Sequence, residues 1–284
     1  AIPGIMASRT ISDPRDRLTT IFVAPLMTCS ARLPVYALLI AAFIPEQTVW
    51  GIFNLQGLVL FALYMAGIVS ALCVSFVLKF FHKDKSQHML MMELPSYRFP
   101  DLKNIWIGLL DRAKIFLRRV GGIIFALSIL LWFLCTFPQA PEGATLPEID
   151  YSFAGMLGHL LQPIFAPLGF NWQICIALIP AMAAREVVVA ALGTVYALSA
   201  VDEDAMSQGL ASLISSGGEL GWSVATGLSL LVWFIYAPHC LATLATVKRE
   251  TGSWKTVSFM TIYLFGLAYL MSFLTYQIAT HYLG

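Results

Sequence analysis

The stretch from Ala24 to Tyr36, APLMTCSARLPVY, sets Thr28, Cys29, Ser30, Arg32 and Pro34 in the middle of an apolar run. Pro34 has no backbone donor and disturbs the turn before it, so carbonyls are left without helical partners where no water reaches them. A chain with this feature folds into a broken helix whose freed backbone groups serve something polar. Two later segments repeat the device. Ala177 to Val189, ALIPAMAAREVVV, places Arg185 and Glu186 after Pro180, and Tyr236 to Thr243, YAPHCLAT, places His239 and Cys240 directly after Pro238.

The surroundings of these breaks are a bilayer. Hydrophobic residues make up 58% of the chain and charged residues 12%, with a mean hydropathy of +0.77, whereas soluble domains carry roughly a quarter charged residues. The expected fold is all-α, a polytopic helical membrane protein with broken or re-entrant helices, and the length leaves room for roughly six or seven spans of ~20 residues. The five cysteines form no CxxC pair, and their odd number argues for reduced thiols rather than a disulfide scaffold. No signal peptide is visible and the sequence does not start with Met, so it is read as part of a longer chain.

Spans are expected near 18–44, 51–79, 120–137, 223–247 and 256–281, and 153–199 either crosses twice or re-enters. Arg9, Arg15 and Arg17, the run Lys79, His82, Lys83, Lys85, and Lys248, Arg249 and Lys255 mark cytoplasmic ends. The loops at 138–152 and 200–221 carry acids and no Lys or Arg, which puts them outside. Residues 101–119 alternate apolar positions with Lys103, Arg112, Lys114, Arg118 and Arg119 and read as an amphipathic helix on the cytoplasmic surface.

A centrally placed Arg costs about 2.5–3.5 kcal/mol to insert, so Arg32 must face protein or water. Its expected role is pairing with carbonyls freed near Pro34, with gating or substrate contact as the alternative. Cys29 and Met27 offer soft sulfur suited to a transition metal, whereas Cys73, Cys135 and Cys175 read as small buried residues. Arg185 and Glu186 are adjacent and point to different helix faces, so each needs another partner. An intramembrane Glu is a candidate for cation or proton handling, or else a satisfied interhelical bond. His239 and Cys240 add a nitrogen and a second sulfur at an equivalent break. His82, His88, Met89, Met91 and Met92 read as a membrane-surface segment, and Gly121-Gly122 as a packing or kink feature. No phosphate loop, zincin, nucleophile-elbow or zinc-finger spacing occurs, and nothing suggests an enzyme active site.

Taken in order, Ile5 to Tyr36 (IMASRTISDPRDRLTTIFVAPLMTCSARLPVY), Met92 to Asn104 (MELPSYRFPDLKN), Ala181 to Val189 (AMAAREVVV) and His239 to Lys255 (HCLATLATVKRETGSWK) resemble the bacterial ferrous iron transporter B family, the large membrane subunit of the Feo system. The resemblance spans essentially the whole chain. It implies Gate-type helical repeats that conduct Fe²⁺ across the bacterial inner membrane. Residues 1–85 would end a first repeat with two spans, 86–119 would be the connector and interfacial helix, and 120–284 the second repeat and last spans.

The resemblance further implies regulation by an N-terminal G-protein domain that binds GTP and Mg²⁺ and that this sequence lacks. It places Cys29 and Cys240 on the iron path and the family's acidic motif residue on Glu186; His239 stands where some members have a further Cys, a departure from the family pattern, and is read from its own chemistry as a further metal-binding position. Arg32, Pro34, Pro180, Arg185 and Pro238 would have gating or structural roles. Small Feo accessory proteins, membrane lipid and a second copy of the chain are the implied partners, and nucleic acid is not among them. Two rival readings are a Gate-type carrier of a nucleoside or another small uncharged solute, and a membrane anchor for a G-protein domain.

Overall fold

The computed structural model describes residues 2–29, 32–44, 48–49, 53–81, 101–138, 151–182, 185, 187–189, 191–192 and 223–283. Ten helices carry the description: α1 (Ile2–Ala7), α2 (Pro14–Val23), α3 (Leu33–Phe43), α4 (Leu55–Phe81), α5 (Leu102–Thr136), α6 (Phe153–Phe165), α7 (Trp172–Ala181), α8 (Val224–Tyr236), α9 (Leu241–Thr251) and α10 (Trp254–Leu283). A two-residue antiparallel pairing, Thr48 with Asn54 and Val49 with Phe53, lies between α3 and α4. The expected all-helical architecture is what the chain forms.

Local chemistry accounts for the helix starts. The Asp13 carboxylate accepts from the Arg15 N–H at 2.8 Å and Pro14 occupies the first turn of α2, a position where a missing N–H does no harm. Ser152, Asn171 and Ser223 cap α6, α7 and α8 in the same way, each accepting from the N–H three residues on. α4 has 27 residues and α10 has 30; at ~1.5 Å per residue both exceed the ~30 Å hydrocarbon layer. Along α4, Phe61, Leu72 and Phe76 point outward, an apolar face suited to lipid.

The other apolar segments are interrupted. The expected span at 18–44 is α2, a 3₁₀ turn at Ala24–Leu26, an extended link and α3. The segment at 223–247 breaks between α8 and α9 at 237–240. α6 and α7 meet at a bend of 100°, made by the 3₁₀ turn Ala166–Leu168 and Gly169 with φ +79°. This geometry suits a broken span or a re-entrant loop. Residues 101–119 and 120–137, read separately from the sequence, belong to one helix, α5, which runs through Gly121-Gly122 without interruption.

α8 is the hub, with most of its residues buried from Ala225 to Tyr236. It is joined to α10 by a reciprocal bond between serines: Ser229 Oγ donates to the Ser272 carbonyl at 3.2 Å, and Ser272 Oγ donates to the Ser229 carbonyl at 3.0 Å. Small polar residues let such helices approach and stay bonded in an apolar medium. The Tyr263 hydroxyl donates to the Phe22 carbonyl at 2.8 Å and so ties α10 to α2.

The basic clusters gather at one end. Arg9 and Arg17 both hold the Glu250 carboxylate, and Lys79 lies 3.7 Å from Asp16. Lys248 donates to the Gly252 carbonyl at 2.8 Å and stacks 5.0 Å from the Trp254 ring. The loops at 139–150 and 193–222, and residues 82–100 with His82, His88, Met89, Met91 and Met92, lie outside the described residues.

Candidate functional site

The first break is held by its own arginine. Arg32 is 1% exposed, and its guanidinium donates from Nη2 to the Pro25 carbonyl at 3.0 Å and from Nη1 to the Leu26 carbonyl at 3.4 Å. These carbonyls lie upstream, in the 3₁₀ turn, so the side chain folds back along its own segment. The interruption thus supplies acceptors, and a buried cation occupies them, which is what its insertion cost demands. Pro34 sits in the first turn of α3, where its missing donor is tolerated.

The second break reaches the third. Arg185, buried after Pro180, donates from Nη2 to the Ala237 carbonyl at 2.8 Å, in the link before Pro238. There the chain turns tightly: the His239 N–H donates to the Ala237 carbonyl at 2.9 Å and the Cys240 N–H to the Pro238 carbonyl at 2.8 Å. The Cys240 carbonyl then opens α9 by accepting from Thr243 and Leu244.

Arg185 is the meeting point. Arg32, Cys29, Tyr36 and Cys240 all lie within electrostatic reach of its charge, and Arg185 and Arg32 both act on His239. Polar groups that the sequence set at three separate breaks therefore lie within electrostatic range of one another, with the Arg185–Ala237 bond joining two of the breaks. Cys29 and Cys240 are half-buried, whereas His239 is fully buried and packs against Phe234 and Trp233 at ring separations of 4.9 and 6.3 Å.

The cluster is rich in unused polar atoms. Arg32 Nε, Arg185 Nε, Tyr36 Oη, Trp233 Nε1 and both ring nitrogens of His239 have no hydrogen-bond partner among the described residues. Buried polar groups are ordinarily satisfied, and these donors and acceptors have no partner among the described residues. Among the described residues, no group of three or more His, Cys, Asp or Glu side chains is gathered closely enough to hold a metal ion. Glu186 lies outside the described residues. What the structure brings together is two thiols, one imidazole and two guanidinium groups, an open arrangement rather than a closed metal cage.

Tyr36, Trp233 and the Ala237 carbonyl were not singled out from sequence. Tyr36 lies four residues after Arg32, on the same face of the chain as it enters α3, a spacing that was available as a signal. Trp233 carried no such signal. Of the remaining cysteines, Cys135 and Cys175 are buried and Cys73 is exposed on α4.

Two family models match the chain: "Ferrous iron transport protein B C terminus" at residues 60–112 and "Nucleoside recognition", the Gate model, at residues 117–254. The second includes the breaks at Pro180 and Pro238. Among curated relatives, the Fe(2+) transporter FeoB of Leptospira interrogans is 38% identical over 98% of this chain and 41% of its own length. The FeoB of Campylobacter jejuni is 33% identical over 98% of this chain and 44% of its own. The Fe(2+) transport protein A/Fe(2+) transporter FeoB fusion protein of Porphyromonas gingivalis is 36% identical over 98% of this chain and 36% of its own. The chain thus spans about two fifths of the length of the relatives it matches. No solved structure matches it. With likeness to these relatives running over nearly its whole length, through all three breaks, the chain belongs to the ferrous iron transport protein B family.

Proposed function

We propose that this chain is the membrane permease part of a ferrous iron uptake transporter of the bacterial inner membrane. The observation that supports the reading is that Cys29 and Cys240, from two breaks, lie within electrostatic range of Arg185 from the remaining one, while the buried His239 lies within range of Arg185 and Arg32. Cys29, Cys240 and His239 bind Fe²⁺ in passing, since sulfur and imidazole suit a borderline transition metal. Glu186, next in sequence to Arg185, supplies negative charge on the path. Conduction asks for a site that releases its ion as readily as it takes it, and an open set of ligands serves that better than a complete cage.

Arg32 and Arg185 bind no cation in this reading. They satisfy the carbonyls of the breaks and keep the three segments in register, and their spare Nε donors are available to water or to anionic ligands. The end where Arg9, Arg17, Lys79, Lys248 and Arg249 gather is cytoplasmic by the distribution of basic residues. A GTP- and Mg²⁺-binding domain elsewhere in the longer protein regulates the path, with small Feo-system proteins and further copies of the chain as partners. The Gate family is named for nucleoside recognition, but thiols at two of the breaks favour a soft cation over a neutral solute.

Anaerobic thiol alkylation of the full-length transporter, read by mass spectrometry, tests this. Fe²⁺ is expected to protect Cys29 and Cys240, Mg²⁺ and uridine to protect neither, and Cys73 to react equally in all cases. Equal alkylation of Cys29 and Cys240 with and without Fe²⁺ in folded protein removes the sulfur-lined path; protection by uridine transfers the reading to a nucleoside carrier.

A further inference from the structure

Beside the first break, α1, α2 and α4 line an open, largely apolar groove of about 580 Å³ whose polar lining includes Asp16, Thr19, Thr20, Ser75 and Lys79, with Met27 among its apolar residues. It opens at the basic end of the bundle. Its inner wall is the 3₁₀ turn at Ala24–Leu26: Ala24 and Met27 line the groove, while the Pro25 and Leu26 carbonyls bond Arg32 in the buried cluster. One turn of chain separates the two spaces, and Cys29 lies two residues beyond Met27.

The lining changes character along its length. At the inner end stands the thioether of Met27. Further out come the hydroxyls of Thr19, Thr20 and Ser75, and then the Asp16 carboxylate. Thr20 Oγ1 donates to the Asp16 carbonyl at 2.8 Å and Thr19 Oγ1 to the Arg15 carbonyl at 3.1 Å. With those hydrogens committed, both hydroxyl oxygens keep lone pairs for a cation or its water. Asp16 and Lys79 stand 3.7 Å apart with side chains 53% and 66% exposed, a loose pair of the kind that holds weakly in water. The space suffices for a hydrated ion, whose six waters at ~30 Å³ each need roughly 200 Å³.

We propose that this groove is a vestibule through which a hydrated divalent cation passes between the broken-helix site and the basic end of the bundle, with Asp16 as its carboxylate station and Lys79 as the charge the cation displaces. The proposal rests on the reading of the chain as a cation permease. It adds to the sulfur site a second one in which three hydroxyls and one carboxylate stand in a largely apolar wall, so that the ion exchanges soft ligands for hard ones and regains its water on leaving.

The test is initial Fe²⁺ flux by the full-length transporter in proteoliposomes with GTP and Mg²⁺ supplied, alongside Fe²⁺ protection of Cys29 and Cys240 from alkylation. Asp16→Asn is expected to lower flux by about threefold or more, and Ser75→Phe, which fills the groove, by about tenfold, with protection of both cysteines unchanged. Lys79→Gln, at an exposed position, is expected to raise flux about twofold at sub-saturating Fe²⁺. Wild-type flux in folded Asp16→Asn and Ser75→Phe protein overturns the vestibule, as does unchanged flux in Lys79→Gln. Loss of flux in Asp16→Asn when Fe²⁺ fails to protect the cysteines of the unsubstituted protein removes the sulfur path and leaves the vestibule standing.

Discussion

Arg185 donates from Nη2 to the main-chain carbonyl of Ala237 at 2.8 Å, across 52 residues of sequence. The bond joins a cation that the bilayer disfavours to an acceptor that Pro238 and the end of α8 have released. Each would be costly alone, and together they hold the second and third breaks in one place.

Replacing Arg185 with Met removes the charged donor to the Ala237 carbonyl and leaves it only the bond from the His239 N–H. A hydrogen bond to a charged group is worth about 1.5–3 kcal/mol, and a loss of that size is expected in thermal unfolding of the detergent-solubilised transporter, together with loss of Fe²⁺ flux. Arg185→Lys, which keeps one donor and the charge, is expected to recover more of the stability than of the flux. Full flux in Arg185→Met would separate the arginine from the path.

Cys29→Ser and Cys240→Ser together are expected to lower ferrous iron uptake about tenfold or more, equivalent to at least ~1.4 kcal/mol, without lowering the amount of folded transporter in the membrane. Cys135→Ser serves as the comparison. Its thiol is buried away from the breaks, next to Ala154 and Ile176, so its effect is on folding rather than flux.

His239 lies among aromatic rings with both nitrogens unpartnered among the described residues. His239→Phe keeps a flat ring in that environment and removes the nitrogens. Stability close to the unsubstituted value with uptake lowered severalfold is the expected result; unchanged uptake would make the residue a packing element.

The Arg9 guanidinium, helped by Arg17, holds the Glu250 carboxyl below its ordinary value of 4.5. A carboxylate with a depressed folded-state pKa contributes stability that is present above the unfolded value and is lost as pH falls through the folded one. The gap in thermal stability between the unsubstituted protein and Glu250→Gln is therefore expected to be full near neutral pH and to close below pH 4.5. Because the Glu250 side chain is only 2% exposed, moderate salt should narrow the gap less than it does for an open surface pair. A gap that stays constant through the acid range would show that the pair contributes nothing to folding.

Gly169 combines φ +79° with a close approach: a Cβ there would run into the Tyr276 ring. Gly169→Ala is expected to destabilise by at least the ~1–3 kcal/mol typical of overpacking and to disturb the bend between α6 and α7. Limited proteolysis and thermal unfolding would report both effects.

Much of this molecule was legible one segment at a time. The apolar runs, the prolines at 34, 180 and 238 and the basic clusters depend on backbone bonding and on charge in a bilayer, and both act over a few residues. They yielded an all-helical membrane protein with three interrupted segments and a cationic end, and the expectation that Arg32 bonds freed carbonyls at its own break. Tertiary structure decided the partners. That the acceptors are Pro25 and Leu26, that Arg185 answers Ala237, and that Cys29 and Cys240 both lie within reach of that guanidinium depend on how α3, α8 and the end of α7 pack. Glu250, one acid in a basic run, takes its meaning only from Arg9 and Arg17, more than two hundred residues away in sequence. A break in a helix announces unpaired groups wherever it occurs, but what pairs with them is set by which helices become neighbours, and that is decided by packing over the whole fold.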